Sequence, residues 1–69
     1  MRTACRATAA GVQPGWRIDA PDRWAQLRVT TVSELPGGHI RIAGTFIEGH
    51  GKSVSYELDA GYPVVVQQE

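Results

Sequence analysis

The chain has 69 residues, seven basic and seven acidic side chains, and a formal net charge of zero. A chain of this length buries too little surface to support two cores, so residues 1–69 are predicted to form a single domain with one shallow site. The balanced charge provides no long-range field that would draw the domain onto nucleic acid, an anionic membrane or an acidic partner. No apolar run approaches the roughly 20 residues that span a membrane, and the N-terminal region lacks the apolar run of a signal peptide.

Cys5 is the only cysteine of the chain. An intrachain disulfide is therefore excluded, and the reducing cytoplasm is the simplest compartment for the protein. Because no motif around Cys5 marks a reactive thiol, we expect a small, buried or half-buried side chain.

Turn-forming residues punctuate the chain at short intervals, and apolar and polar residues alternate between the turns. Ile40 and Ile42, for example, flank Arg41. This period of two is typical of strands that have one packed face and one solvated face. Residues 8–12 have helical character and are expected to form at most one short helical turn. Strands are predicted near residues 2–7, 16–19, 24–34, 39–48, 52–58 and 64–68.

Two of the predicted strands change their alternation partway along. Val29 and Val32 fall on opposite faces of the third strand, so a bulge or bend is expected near Thr30. A second change, between residues 46 and 47 and close to Gly44, indicates that the next strand also bends. Paired bends curl a small sheet, and the predicted fold is all-β: a five- to six-stranded antiparallel meander, built from the last five strands and closed into a small barrel. The expected core consists of Val12, Ile18, Leu27, Val29, Ile40, Ile42, Phe46, Val54, Tyr56, Leu58, Val64 and Val66.

Residues 12–18 have the sequence Val-Gln-Pro-Gly-Trp-Arg-Ile, and they are followed by three meander strands, a turn at residues 59–63 and a valine-rich final strand. This layout resembles that of SH3-like small barrels. It is also similar to short uncharacterised actinobacterial and phage proteins that contain an L-x-P-G-D-x-I segment. The resemblance covers about residues 10–68 and implies an SH3-like barrel. Trp16 stands where those proteins have an acidic residue after Pro-Gly, so no role of that acid is carried over to this chain.

The segment Gly-His-Gly-Lys-Ser at residues 49–53 has the appearance of a phosphate-binding loop. Such a loop needs a first glycine five residues before Gly51, and it needs a helix after the serine. Phe46 occupies the position of that glycine, and the residues after Ser53 alternate as a strand. We therefore predict a hairpin whose glycines adopt positive φ angles, and we reject nucleotide binding.

The candidate metal ligands and catalytic groups are scattered along the chain. Cys5, His39 and His50 form no C-x-x-C or H-x-x-x-H pair, and both histidines are expected to be solvated loop residues. The acidic residues lie on different turns and strands, and no signature places a nucleophile beside a base. We therefore expect no cofactor and no metal site, and we expect that the domain is not an enzyme.

One group of residues is a candidate partner-binding cluster. The alternation of strand residues predicts four side chains that face the core: Leu27, Val29, Ile40 and Ile42. Arg28 and Arg41 would then face outward on adjacent strands, within reach of one another. Trp24 has the same parity as Arg28, which would place an indole beside two guanidinium groups, an arrangement typical of binding hot spots. The predicted partner-binding residues are Trp16, Arg17, Trp24, Arg28 and Arg41.

The same residues also have a structural interpretation. In a very small barrel, Trp16 or Trp24 can cover an open end of the core, and the arginines can pair with Glu57 or Asp59 on neighbouring strands. Parity alone leaves both interpretations open.

Two hypotheses for the function follow. The first is a non-catalytic protein-interaction module that binds a protein partner on the Trp/Arg surface, or that self-associates through a strand edge as a homodimer. The alternative is a small nucleic-acid-binding barrel in which arginines contact phosphates and a tryptophan stacks on a base. The neutral charge and the lack of a basic arm count against nucleic acid, because phosphate contacts dominate its binding. We therefore predict a cytoplasmic domain that binds a protein partner or a second copy of itself, and that binds neither a membrane nor a nucleotide.

Overall fold

A computed structural model describes residues 3–48 and 51–68 of the chain. The described residues form β1 (Thr3–Thr8), a 3-10 turn (Ala9–Gly11), β2 (Arg17–Asp19), β3 (Gln26–Leu35), β4 (His39–Phe46), β5 (Ser53–Asp59) and β6 (Pro63–Gln68). The predicted all-β fold with six strands and one short helical turn is confirmed, and each strand begins and ends within two residues of its expected bounds. In these two segments no helix has the length and apolar character needed to cross a membrane.

The six strands form one antiparallel sheet in the order β1-β6-β2-β3-β4-β5. Strands β2 to β5 make the expected meander, but β6 pairs with β2 on one side and with β1 on the other. The prediction that the last five strands form one meander closed into a barrel is therefore wrong. The sheet is open, because both sides of β6 are already paired and no strand of the described segments bonds the outer side of β5. Strands β1 and β5 are the two edges.

The open sheet is nevertheless strongly curled. Three strands separate β5 from β6 in the sheet, yet only residues 60–62 connect them along the chain. A connection of four Cα steps spans at most about 15 Å, so the end of β5 must lie close to the start of β6. The Ala60 N–H donates to the Gly38 carbonyl at 2.9 Å, and the Ala9 N–H donates to the Tyr62 carbonyl at 2.9 Å. These bonds fasten the connection to the β3–β4 turn and to the 3-10 turn.

The expected bend in β3 is confirmed as an interruption of its register with β4. Val29 pairs with Gly44, whereas Thr31 pairs with Ala43, which leaves Thr30 as the extra residue of a bulge. The Thr30 hydroxyl donates to the Ala43 carbonyl at 3.1 Å. At Gly44 a Cβ atom would overlap a backbone carbonyl oxygen of β3, so glycine is what permits the strands to approach this closely.

The core lies on the concave face of the curled sheet. Of the residues predicted to form it, Phe46, Val54, Tyr56 and Leu58 are only half-buried and pack against its margin. Three of these four residues are on β5, an edge strand with a neighbour on one side only, and the fourth ends β4. The 3-10 turn adds Ala9, which was not expected in the core. The buried cluster consists of Ala9, Val12, Ile18, Leu27, Val29, Ile40, Ile42, Val64 and Val66.

The expectation that Cys5 is buried or half-buried is wrong, because its side chain is exposed. Cys5 is opposite Val66 of β6, and it lies on the same face of the sheet as this core residue. Since β1 is the outermost strand, no strand of residues 3–48 and 51–68 lies beside Cys5 on its outer side.

Candidate binding groove

A groove of about 740 Å³ opens at the end of the sheet where β2 meets β3. Residue Ile18, in the middle of β2, points into the core, so the residues on either side of it point to the convex face. The walls are formed by the loop of residues 20–25 and by residues 47–48, which follow β4. The floor consists of four polar side chains from β2, β3 and β6: Arg17, Asp19, Gln26 and Gln67.

Two of the large exposed hydrophobic side chains belong to this groove. Trp24 is fully exposed, with a relative accessibility of 105%, and Ile47 is 41% exposed. Tyr62, which is 37% exposed, lies outside the groove. A single exposed apolar side chain needs no explanation, but two on one concave surface are typical of an interaction site.

The loop of residues 20–25, which presents Trp24, is held at its base by backbone hydrogen bonds. The Ala20 N–H donates to the Ala25 carbonyl at 2.8 Å, which closes the loop. Ile47, on the opposite wall, donates its N–H to the Gln26 carbonyl at 3.1 Å. Both walls of the groove are therefore tied to the start of β3.

The middle of the same loop is clamped to β4 and β5 by side chains. The Asp22 carboxylate accepts a hydrogen bond from the Tyr56 hydroxyl at 2.8 Å and another from Arg23 Nε at 3.2 Å. The Arg23 guanidinium also lies over the Phe46 ring, 5.1 Å from its centroid. The Arg23 guanidinium and then the Tyr56 hydroxyl hold the pKa of Asp22 below its ordinary value. Burial and the bond to Asp22 raise the pKa of Tyr56, so at neutral pH the clamp has an ionised acceptor and a protonated donor.

The charged groups of the groove have both signs. Three carboxylates, those of Asp19, Asp22 and Glu48, and two guanidinium groups, those of Arg17 and Arg23, line it. Asp19 accepts a hydrogen bond from the Gln67 amide at 3.0 Å, which fixes part of the floor. The site therefore offers donors, acceptors and apolar surface, but no excess of positive charge.

The structure brings together two of the five predicted partner-binding residues, because Arg17 and Trp24 both line the groove. Trp16 is instead half-buried and packs against the core cluster, as the structural interpretation expected. Trp24 is not on the strand face that its parity predicted, because β3 begins only at Gln26. The indole is on a loop and does not share a strand face with Arg28.

Arg28 and Arg41 are not the neighbours that we expected. Arg28 is opposite Thr45 of β4, which lies four residues from Arg41 along that strand, a separation of roughly 13 Å at the rise of an antiparallel strand. Arg41 instead donates to the Glu57 carboxylate at 3.2 Å. This pairing is the one that the structural interpretation proposed for the arginines.

The segment after β4 returns directly into a strand. The Phe46 N–H donates to the Lys52 carbonyl at 3.0 Å, Gly51 has a φ of +62°, and β5 begins at Ser53. These features agree with the predicted hairpin, whose residues Gly49 and His50 lie outside the described segments.

His39 is exposed, as expected, and it begins β4 rather than lying in a loop. Its Nε2 is 3.1 Å from an Asp59 carboxylate oxygen. Over residues 3–48 and 51–68, no group of three or more His, Cys, Asp or Glu side chains is placed to hold a metal ion.

Several residues of the groove were not predicted from the sequence. Two signals in the sequence pointed toward them: Pro21 and Asp22 are turn-forming residues, and the alternation changes just before Ile47. The contribution of Gln67 had no local signal, because it depends on β6 pairing with β2. The polar and large apolar residues that were missed are Asp19, Asp22, Arg23, Gln26, Ile47, Glu48 and Gln67.

No family model, curated protein or solved structure matches this chain. The function must therefore be inferred from the groove and from the sheet that presents it.

Proposed function

We propose that the domain is a non-catalytic protein-interaction module that holds a segment of a partner protein in the groove. The observation that carries this proposal is the exposure of Trp24, the largest apolar side chain of the groove, on a loop clamped by Asp22, Arg23 and Tyr56. A partner that covers the indole gains roughly 1.5–3 kcal/mol from apolar burial. Tryptophan is also among the residues most enriched at interface hot spots.

The clamp on the loop matters as much as the exposure of Trp24. Ordering a mobile loop on binding would cost conformational entropy. The hydrogen bond from Tyr56 to Asp22 and the bond from Ala20 to Ala25 already hold the loop in the free domain. Most of the free energy of covering the indole is therefore available for affinity.

One observation favours the alternative ligand, nucleic acid. Arg17 of β2 is directly opposite Arg28 of β3, so two arginines lie side by side on one face of the sheet, where both could contact phosphates of one strand. In the groove itself, however, Asp19, Asp22 and Glu48 would repel a phosphate backbone. A protein segment with both polar and apolar side chains suits this charge pattern better.

Replacing Trp24 by alanine is expected to weaken partner binding by about 30-fold, corresponding to roughly 2 kcal/mol for loss of a hot-spot side chain. The partner mimics are peptides selected on the wild-type domain from a random display library, and their affinities are measured by calorimetry. Tyr62→Ala is the matched control, because it removes an exposed aromatic side chain outside the groove. We expect it to bind the peptides like the wild type.

If the wild type and Trp24→Ala bind the peptides equally well, the groove is not the binding site. The same conclusion follows if Trp24→Ala and Tyr62→Ala lose equal amounts of peptide affinity. A labelled single-stranded oligonucleotide serves as the competing ligand. If the ligand is nucleic acid, two phosphate contacts predict that oligonucleotide binding weakens about sevenfold between roughly 0.05 and 0.2 M salt. Nucleic acid would be identified as the ligand if the oligonucleotide showed this salt dependence and still bound the Trp24→Ala variant that no longer binds the peptides.

A further inference from the structure

The edge strand β1 carries few of the features that usually prevent an edge from pairing. It has six residues, contains no proline, and keeps an unbroken register with β6 from Thr3 opposite Gln68 to Thr8 opposite Pro63. Arg6 is its one charged side chain. The other edge, β5, has Glu57 and Asp59 along it. Since charges, prolines and bulges are what normally blunt an edge, β1 is the edge that is open to pairing.

The direction of each backbone group of β1 follows from the hydrogen bonds at its end. The Ala9 N–H donates to the Tyr62 carbonyl, one step beyond the last pair of the β1–β6 register. Antiparallel ladders alternate between bonded and non-bonded pairs, so Ala7 and Cys5 exchange their hydrogen bonds with β6. The intervening residues of β1 have their N–H and C=O groups directed away from the sheet.

A second feature of the same ladder supports this alternation. Pro63 has no N–H, and it is opposite Thr8. Thr8 and Pro63 form a non-bonded pair between the bonded pairs of Ala7 and Ala9, so Pro63 needs no N–H to bond β1. β1 therefore presents the N–H and C=O groups of Ala4, Arg6 and Thr8 along its free edge.

We propose that β1 pairs with β1 of a second copy of this chain, antiparallel and about a two-fold axis that passes by Cys5. In this register Ala4 of each copy exchanges both of its outward hydrogen bonds with Arg6 of the other. Arg6 thus faces a small neutral residue and not a second arginine, which would be destabilising. The chain has no net charge, so two copies do not repel one another at long range.

The side chains on the core face of β1 also fit a second copy. Cys5 and Ala7 are opposite Val66 and Val64, two members of the core. Pairing about the two-fold axis places Cys5 of the other copy opposite Cys5, and Thr3 of the other copy opposite Ala7. The contact is isologous, so it closes as a dimer and leaves no β1 edge free.

This register makes Cys5 a reporter of the pairing. Because the backbone groups of Cys5 point toward β6, the two Cys5 residues form a non-hydrogen-bonded pair across the dimer. Their Cα atoms would be about 4.5 Å apart, which lies within the roughly 4.4–6.8 Å range of disulfides. The dimer itself needs no disulfide.

With oxidised glutathione, we expect the wild-type chain to form a Cys5–Cys5 disulfide dimer at least about tenfold faster than a double variant, Ala4→Cys with Cys5→Ala. In the variant the lone thiol is equally on β1, but it lies on the opposite face and is not opposite its copy. Equal rates would show that the wild-type dimer forms by random collision, and that result would overturn the proposal.

The non-covalent dimer is tested in reductant by sedimentation equilibrium, with one proline variant on each edge. Ala4→Pro removes an N–H that points away from β6, so it should weaken the dimer at least about tenfold while leaving the sheet intact. Ser55→Pro is the matched control on β5. The Phe46 N–H donates to the Lys52 carbonyl, and bonded and non-bonded pairs alternate from there along β4 and β5. The Ser55 N–H therefore also points away from the sheet. It should dimerise like the wild type.

If Ser55→Pro loses the dimer and Ala4→Pro keeps it, the contact is on β5. If the wild type is a monomer at high micromolar concentration, β1 does not pair with itself. If Ala4→Pro does not fold, hydrogen exchange of the wild type decides. The Arg6 amide should become protected as concentration rises, and constant exchange would contradict the pairing. Trp24→Ala should dimerise normally, so this proposal and the proposed function can fail independently.

Discussion

Replacing Gly44 by alanine is expected to destabilise the domain by about 3 kcal/mol or more. A Cβ at this position would overlap the Arg28 carbonyl oxygen and would lie 3.2 Å from Leu27 Cγ. Gly44 has no positive φ, so the cost is steric: the central strands β3 and β4 must separate beside the bulge. A 69-residue domain has a total stability of only about 3–10 kcal/mol, and urea denaturation would therefore find the variant largely unfolded or close to it.

Gly61→Ala is the matched control for this substitution. Gly61 also lacks a positive φ, and a Cβ there would meet no atom within 4 Å. We expect its free energy of unfolding to stay within about 0.5 kcal/mol of the wild-type value, or to rise slightly because the unfolded chain loses freedom. If Gly44→Ala were as stable as Gly61→Ala, β3 and β4 would not approach one another as closely at Gly44 as the structure shows.

Replacing Leu27 by alanine is expected to lower the free energy of unfolding by about 2–5 kcal/mol. The Leu27 side chain is completely buried, and its residue is opposite Ile18 on one side and Phe46 on the other. Its removal leaves a cavity in the middle of the sheet, because rigid strands on both sides cannot collapse into it. Urea denaturation monitored by circular dichroism measures the loss.

Leu35→Ala provides the comparison, since Leu35 ends the same strand and is only half-buried. It is not a member of the core cluster, and we expect a loss of about 1 kcal/mol. Similar losses in the two variants would mean that the core is not centred on Leu27.

Local patterns were sufficient to predict the strands. Period-two alternation and the turn residues between the strands located all six, and the parity change at Thr30 located the bulge. The order of the strands was not encoded locally. That β6 pairs with both β1 and β2 depends on contacts between distant parts of the chain, and this pairing determines that the sheet stays open and that Cys5 is exposed.

The groove was only partly predictable for the same reason. Parity indicates which face a strand residue occupies, but it does not give its position along the neighbouring strand. Arg28 and Arg41 were therefore placed on the correct kind of surface yet too close together. Trp24 was assigned to a strand that begins two residues later, at Gln26. The loop that carries it is held by the hydrogen bond from Tyr56 to Asp22, which joins residues 34 positions apart in the chain.

Trp24 is exposed to water in the groove whereas Trp16 packs on the core, and the proposed function depends on this difference. Acrylamide quenching of tryptophan fluorescence tests it directly in Trp16→Phe, which retains only Trp24. We expect this indole to be quenched nearly as fast as free tryptophan and to emit at the same wavelength, and Trp16 in Trp24→Phe to be protected and blue-shifted. Slow quenching and blue-shifted emission from Trp24 would show that the indole packs against the domain, and the groove would then have no exposed anchor for a partner.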